Sequence, residues 1–187
     1  MLTSPPSLPD SFPRLGPTLA LILFAAWATP ASAFENRAGD LRLGATLGAG
    51  GHFGDLPLDA PFFHLGAAAD YALSPALGVL GVVQAGLSGT SHLALGAGVR
   101  YRITGLELPL SPFGQALLTL GPLFTTRGAT VGLGIELGAG AEYFLTADIA
   151  AGALLKLDLG GALGRPNGFH GTAGFLLTAT YRVQEGL

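Results

Sequence analysis

The chain has 187 residues, enough for one domain with a substantial core, but only 11% of them are charged, less than half of the roughly 25% of an average soluble domain. Lys and Arg number 9 against 12 Asp and Glu, for a net charge of −3, which argues against a nucleic-acid partner because phosphate binding needs a basic patch. There is no cysteine, so disulfides and thiolate metal sites are excluded, and with 49% hydrophobic residues and 30 glycines little charge is left to solubilise an ordinary surface.

Residues 1–33 predict a cleaved signal peptide. Arg14 supplies a thin positive start, and an apolar run follows from Leu15 to Trp27. That run is shorter than the about 20 residues a transmembrane helix needs. Thr29-Pro30 breaks it, and Ala31-Ser32-Ala33 gives the small-x-small cleavage signal, so cleavage is expected before Phe34. A retained membrane anchor is the competing reading. Residues 34–187 then make one domain.

After Ala33 the persistent pattern has period 2, the mark of strands with two unlike faces. Strands are expected near 41–52, 62–73 and 78–88. The stretch from His92 to Thr104 puts Leu93, Leu95, Ala97, Val99, Tyr101 and Ile103 on one face, and His92, Gly96, Gly98, Arg100, Arg102 and Thr104 on the other. A strand near 112–125 follows. From Thr130 to Tyr143 one face is wholly apolar, and the other is Thr130, glycines, Glu136 and Glu142. The stretches 147–161 and 172–183 separate in the same way, the latter setting Phe175, Leu177, Ala179 and Tyr181 against Thr178, Thr180 and Arg182. Eight strands of about 9–11 residues plus turns fit the length that remains after residue 33.

Four of these strands end alike. ADYALS, VRYRIT, AEYFLT and ATYRVQ contain all four tyrosines: Tyr71, Tyr101, Tyr143 and Tyr181. Two architectures accommodate the alternation. A soluble barrel turns its apolar face inward, and a membrane barrel turns it to lipid. The polar face here is mostly glycine and alanine with a few charges. Such a face cannot solubilise a surface, but it suits a narrow interior, so the membrane barrel is expected. A bilayer accepts no open sheet edge, so the eight strands must close.

The signal peptide, the dyad alternation and the repeated Y-x-[LIV]-[STQ] strand ends together resemble the small outer-membrane β-barrel proteins of Gram-negative bacteria, of the OmpA/OmpX-like eight-stranded type. The resemblance covers roughly 40–183. It implies an all-β, eight-stranded antiparallel up-and-down transmembrane barrel in the outer membrane, monomeric and without cofactor. It also implies contact with outer-membrane lipid and lipopolysaccharide, and with the barrel-assembly machinery during biogenesis. Two features depart from the pattern. The chain runs past Tyr181-Arg182-Val183 into Gln184-Glu185-Gly186-Leu187 where such barrels finish on an aromatic residue, and no peptidoglycan-binding domain is expected after the barrel.

With the chain starting from the periplasm, the resemblance places the four tyrosines in a periplasmic aromatic girdle. The alternative is simply the strand propensity of tyrosine. The periplasmic turns would hold Ser74-Pro75-Ala76, the stretch 105–111 and Thr146-Ala147. The extracellular links would be 50–61, 89–91, 126–129 and 161–170, none longer than about a dozen residues. Long surface loops carry much of the function in such barrels, so a large adhesive surface is not expected.

The inward positions carry a near-balanced set of charges. Arg42, Arg100, Arg102, Lys156 and Arg182 face Asp70, Glu136, Glu142, Asp148 and Asp158. Buried charge is costly unless paired, so an interior salt-bridge network that plugs the barrel is expected, with a polar conduit for small or hydrophobic solutes as the alternative. His52, His64, His92 and His170 all fall at expected extracellular ends with inward parity. They make either a set of rim histidines or a metal-binding or pH-responsive mouth, and no tight ligand spacing favours a metal. GLGIEL has no helix after it, and no GxSxG or HExxH occurs. A lipid A-modifying enzyme would have to use Ser88, Ser91 and His92, and His92 has parity away from lipid. The expectation is a non-enzymatic, envelope-stabilising membrane barrel.

Overall fold

A computed structural model describes residues 36–58, 61–106 and 109–183. The expected signal peptide and its cleavage point, Asp59, part of the 105–111 turn, and Gln184 to Leu187 lie outside them.

The alternation folds as eight strands: β1 (Leu41–Gly54), β2 (Phe62–Ala72), β3 (Leu77–Leu87), β4 (Ser91–Arg102), β5 (Leu110–Thr125), β6 (Gly128–Phe144), β7 (Ile149–Ala162) and β8 (Gly168–Val183). Each pairs antiparallel with its sequence neighbours, and β1 pairs with β8 from Leu41↔Val183 to Gly54↔His170, which closes the barrel. Closure leaves no row of unpaired backbone groups, as a hydrocarbon solvent requires. No helix among the described residues is long and apolar enough to cross a membrane, and the strands do the crossing.

The barrel is inside out relative to a soluble one. Among the described residues 19 polar or charged side chains are buried against 11 hydrophobic ones, while Leu95, Leu118 and Leu155 stand 59%, 66% and 62% exposed on the outer wall. Apolar area on that scale is stable only against lipid. Of the two architectures the alternation allows, this is the transmembrane one.

The end at which β1 starts and β8 finishes is termed the near rim, and the opposite end the far rim. Short side-chain-capped turns join the strands at both. At the near rim the Ser74 hydroxyl accepts the Leu77 N–H (3.0 Å), and the Thr146 hydroxyl accepts that of Ile149 (3.0 Å). At the far rim the Thr125 hydroxyl donates to the Gly128 carbonyl (2.8 Å), where Gly128 takes a φ of +125° that only glycine adopts cheaply.

Several boundaries differ from expectation. The first far-rim link is 55–61 rather than 50–61, because β1 continues past its last partner on β2 (Gly50↔Phe62) and stays paired with β8 as far as Gly54. β8 begins at Gly168, which shortens the last link to 163–167, and β5 begins at Leu110. Asp148 lies in the turn before β7 rather than on the strand, since Leu145 and Thr146 N–H groups both donate to the Ile149 carbonyl and close the turn there.

Candidate functional site

The site the fold builds is the lumen, and it is layered. The layer next to the near rim is ionic. Arg42 (β1), Asp70 (β2), Arg100 and Arg102 (β4) and Glu142 (β6) project inward and are all buried. Arg100 reaches Asp70 at 3.3 Å and Glu142 at 3.4 Å, Arg42 reaches Glu142 at 3.6 Å, and Arg102 donates directly to Asp70. Two rings complete the layer: the Arg42 guanidinium lies 4.8 Å over Phe144, and that of Arg100 lies 4.5 Å over Phe113. Both contacts fall within cation–π range.

The middle layer centres on one carboxylate. Glu136 (β6) accepts from Lys156 (β7) at 2.9 Å, from Gln84 (β3) at 2.8 Å and from Gln115 (β5) at 3.0 Å. Lys156 also donates to Gln84 at 2.6 Å. Gln115 joins the two layers, because its carbonyl oxygen accepts from Arg100 at 2.8 Å. Beside this group Thr119 donates to Asp158 at 3.2 Å. Removing a charge from water is costly unless its partners are complete, and here amide and ion partners from three strands converge on one carboxylate.

The remaining volume is apolar. Leu80, Leu117, Leu154 and Leu176 are 0–3% exposed and project into the lumen between the ionic groups. The inward glycines make room for them. A Cβ on Gly48 would lie 2.8 Å from the Leu176 backbone, one on Gly138 2.8 Å from Leu154, and one on Gly140 2.8 Å from Phe113. Large residues on one strand fill the space that glycines on its neighbours leave open.

The far layer is aromatic. His52 (β1), Phe62 (β2), His92 (β4) and His170 (β8) gather there, and His64 (β2) lies a level below, beside Gln84 and Glu136. The His52 ring centroid is 4.4 Å from Phe62 and 5.2 Å from His92. His52, His92, His170, Asp158, Thr119 and Thr172 border a cavity of about 20 Å³, room for about one water molecule. Among the described residues no group of three or more His, Asp or Glu is disposed to hold a metal ion. Above this layer Leu56 is buried, and the Asp55 and Phe169 backbones are joined by a hydrogen bond of 2.9 Å.

The structure thus brings Arg42, Asp70, Arg100, Arg102, Glu136, Glu142 and Lys156 into one connected interior group and sets Asp158 above it. Arg182 and Asp148 lie at the near rim. Arg182 pairs with Asp40 at 3.3 Å, and both line a near-rim cleft with Arg37 and Asp148. Ionic parity alone assigned these two inward, but the strand ends carry them to the rim. Sequence reasoning missed Gln84, Gln115 and the lumenal leucines. The two glutamines share the inward parity of the charges, and that was the available signal. Tyr71, Tyr101 and Tyr181 are 48%, 59% and 51% exposed on the outer wall at the near rim, with Tyr143 half-buried at the same level. Ser91 and His92 are adjacent on β4 and so face opposite sides of the wall.

A closed eight-stranded antiparallel barrel with an apolar exterior and an ionic lumen is the fold of the small outer-membrane barrels of Gram-negative bacteria. Neisserial surface protein A matches it with a TM-score of 0.63 at 14% identity, over 75% of this chain and 96% of that one. The N-terminal β-barrel domain of Pseudomonas aeruginosa OprF matches with a TM-score of 0.50 at 15% identity, over 75% and 98%. Ail, the attachment invasion locus protein of Yersinia pestis, solved with the heparin analogue sucrose octasulfate, matches with a TM-score of 0.50 at 17% identity, over 78% and 99%. No protein-family profile and no curated protein matches the sequence.

Proposed function

We propose that the protein is a monomeric, non-enzymatic integral protein of the outer membrane, reached through a cleaved signal peptide, whose role is to stabilise the envelope rather than to pass solutes. The near rim is then periplasmic and the far rim extracellular. Tyr71, Tyr101, Tyr143 and Tyr181 form the periplasmic girdle, where an amphipathic ring suits the interface. Outer-membrane lipid and lipopolysaccharide surround the apolar wall, and the barrel-assembly machinery inserts it.

The observation that carries this reading is the filled lumen. The Glu136 group and the leucines around it span the interior from β3 to β7 at mid-height, where a conducting pore would need an open path. An eight-stranded barrel is just wide enough for side chains to fill. The test is purified, refolded protein in planar bilayers. The proposal expects no steady single-channel openings, and well-defined openings would replace it with solute passage. Lipid A mass spectrometry of cells with and without the protein should give identical spectra, and an altered acyl pattern would make it an enzyme.

A further inference from the structure

The register rows of the outer wall run obliquely. From Gly44 on β1, the pairing followed once around the barrel returns to β1 at Gly54, ten residues nearer the far rim (54 − 44). Strands in such a barrel tilt about 40° from its axis, so a row perpendicular to them climbs at about 50° to it. One row is built of small residues. Ala179 (β8), Ala45 (β1) and Ala67 (β2) are register partners in turn, and Val83 (β3) continues the row. The next outward row toward the far rim is Leu177, Leu47 and Leu65, and the next toward the near rim holds Tyr181 and Leu43. The alanines and the leucine row line a groove of about 510 Å³ on the lipid-facing wall. On the opposite side of the barrel, the pairs Leu118↔Ile135 and Leu120↔Leu133 put large side chains in successive rows.

The chemistry and the direction of the groove decide what fills it. Its outward side chains are alanine, leucine and valine, so the occupant is itself apolar. Left empty, the groove would forfeit dispersion contacts along its floor. A second copy of the barrel fits it poorly. Two copies inserted the same way are related by an axis along the membrane normal, and their facing rows slant in opposite senses. The leucine ridge of one then crosses the groove of the other instead of lying along it. An acyl chain is thin and flexible and can follow an oblique path. The groove is also continuous with the wall that meets hydrocarbon. Its lower end leads to the near rim. Beyond Ala179 the row reaches Ala151, the third residue of β7, whose partner on β6 is Tyr143. A chain therefore enters from the leaflet at that rim.

We propose that this groove seats one acyl chain of a phospholipid from the near-rim leaflet, in preference to the lipid around the rest of the wall. The choice of phospholipid rests on the periplasmic placement of the near rim proposed above; the groove itself does not. Packing supplies the preference rather than the hydrophobic effect, because hydrocarbon surrounds bound and free chains alike. The seated chain lies across β8, β1 and β2, over the pairing of first and last strands that closes the barrel. A bound lipid thus covers the closure seam.

The experiment is photolabelling of the protein in phosphatidylethanolamine vesicles that contain, as a minor component, a phospholipid with a diazirine at mid-chain. Labelled residues are then mapped. Positions 45–47, 65–67 and 177–179 should carry at least about fivefold more label than Leu118 and Leu137 on the opposite side. Ala45→Leu with Ala67→Leu fills the floor at two outward positions and should abolish the excess. Ala179→Leu blocks the lower end with a single change and should abolish it too, so the test stands if the double variant does not refold. Even labelling of the wild type, or an excess that survives in either refolded variant, overturns the proposal. A wild type that sediments in detergent as a dimer, and a floor variant that sediments as a monomer, would give the groove to a second copy and overturn it as well. The same diazirine carried on lipid A separates the groove from the rim placement. An excess from lipid A and none from the phospholipid would overturn the phospholipid and the periplasmic near rim together, whereas no excess from either overturns the groove alone.

Discussion

Replacing Lys156 by methionine removes the one cation among the described residues that pairs with Glu136 and leaves a stem of similar length. In the structure Lys156 is 5% exposed, and its Nζ lies 2.9 Å from the Glu136 carboxylate. At an effective dielectric of about 20 that attraction is worth about 6 kcal/mol. Two things offset its loss. The ammonium no longer has to be desolvated, and Gln84 and Gln115 still donate to Glu136 at 2.8 and 3.0 Å. The net cost should therefore sit at the low end of the range for breaking a buried pair, about 3 kcal/mol. The double variant Lys156→Met with Glu136→Gln removes both charges and keeps an amide that Gln84 and Gln115 can bond, so it should lie within about 1 kcal/mol of the wild type. The assay is urea unfolding in lipid vesicles, followed by the gel mobility of the folded barrel against the boiled form. A single variant as stable as the wild type would mean that the pair is solvated and that the lumen is wetter than its packing indicates. A double variant as unstable as the single one would mean that the cost comes from losing the Lys156–Gln84 hydrogen bond rather than from leaving the Glu136 charge unpaired.

Other substitutions separate the two faces of the wall. Leu118→Arg puts a cation on the lipid face at mid-strand, where the leucine is 66% exposed. It should cost about 2–4 kcal/mol in the same vesicle titration, and no cost would argue that this face does not meet hydrocarbon. Gly48→Val should prevent folding to the mobility-shifted form, because its Cβ would lie 2.8 Å from the Leu176 backbone. The matched change Gly51→Ala has nothing within 4 Å of the new Cβ and should be neutral or stabilising by up to about 1 kcal/mol. Equal behaviour of the two would remove close packing as the reason for the lumenal glycines. Carbonate extraction of membranes should leave the wild type in the pellet, and release into the supernatant would contradict the transmembrane reading.

The wall was legible in the sequence because each residue's side of a strand follows from its parity alone. Tyr101 between Arg100 and Arg102 already says that the ring and the two cations face opposite ways. The structure puts Tyr101 on the outer wall and both arginines in the lumen. Strand ends were less legible, since they depend on partners. β1 runs to Gly54 only because β8 is there to pair with it, and Asp148 leaves the strand because the Ile149 carbonyl closes the turn one residue later. Parity names the inward set without telling which members meet: Arg182, opposite Arg42 on β8, pairs with Asp40 at the near rim.

How the lumen is filled was the least legible part, and the reason lies in the closure itself. Neighbouring strands are brought together by short turns, but the lumenal contacts cross the barrel. Lys156 meets Gln84 across 72 residues of chain, and Arg100 meets Glu142 across 42. No local pattern encodes such a pair. What the sequence does carry is the complement of that packing. Glycines recur at inward positions, and an inward glycine matters only if something large stands over it. Gly140 lies under Phe113, Gly138 under Leu154 and Gln115, and Gly132 under Leu123 and His170. A barrel meant to conduct gains little from glycine inside, because polar side chains would line it as well and weaken the strands less. Interior glycines beneath leucine and phenylalanine give those side chains room inside the lumen. That is why a chain so poor in charge can leave its few ions, buried and mutually paired, at the centre of a membrane.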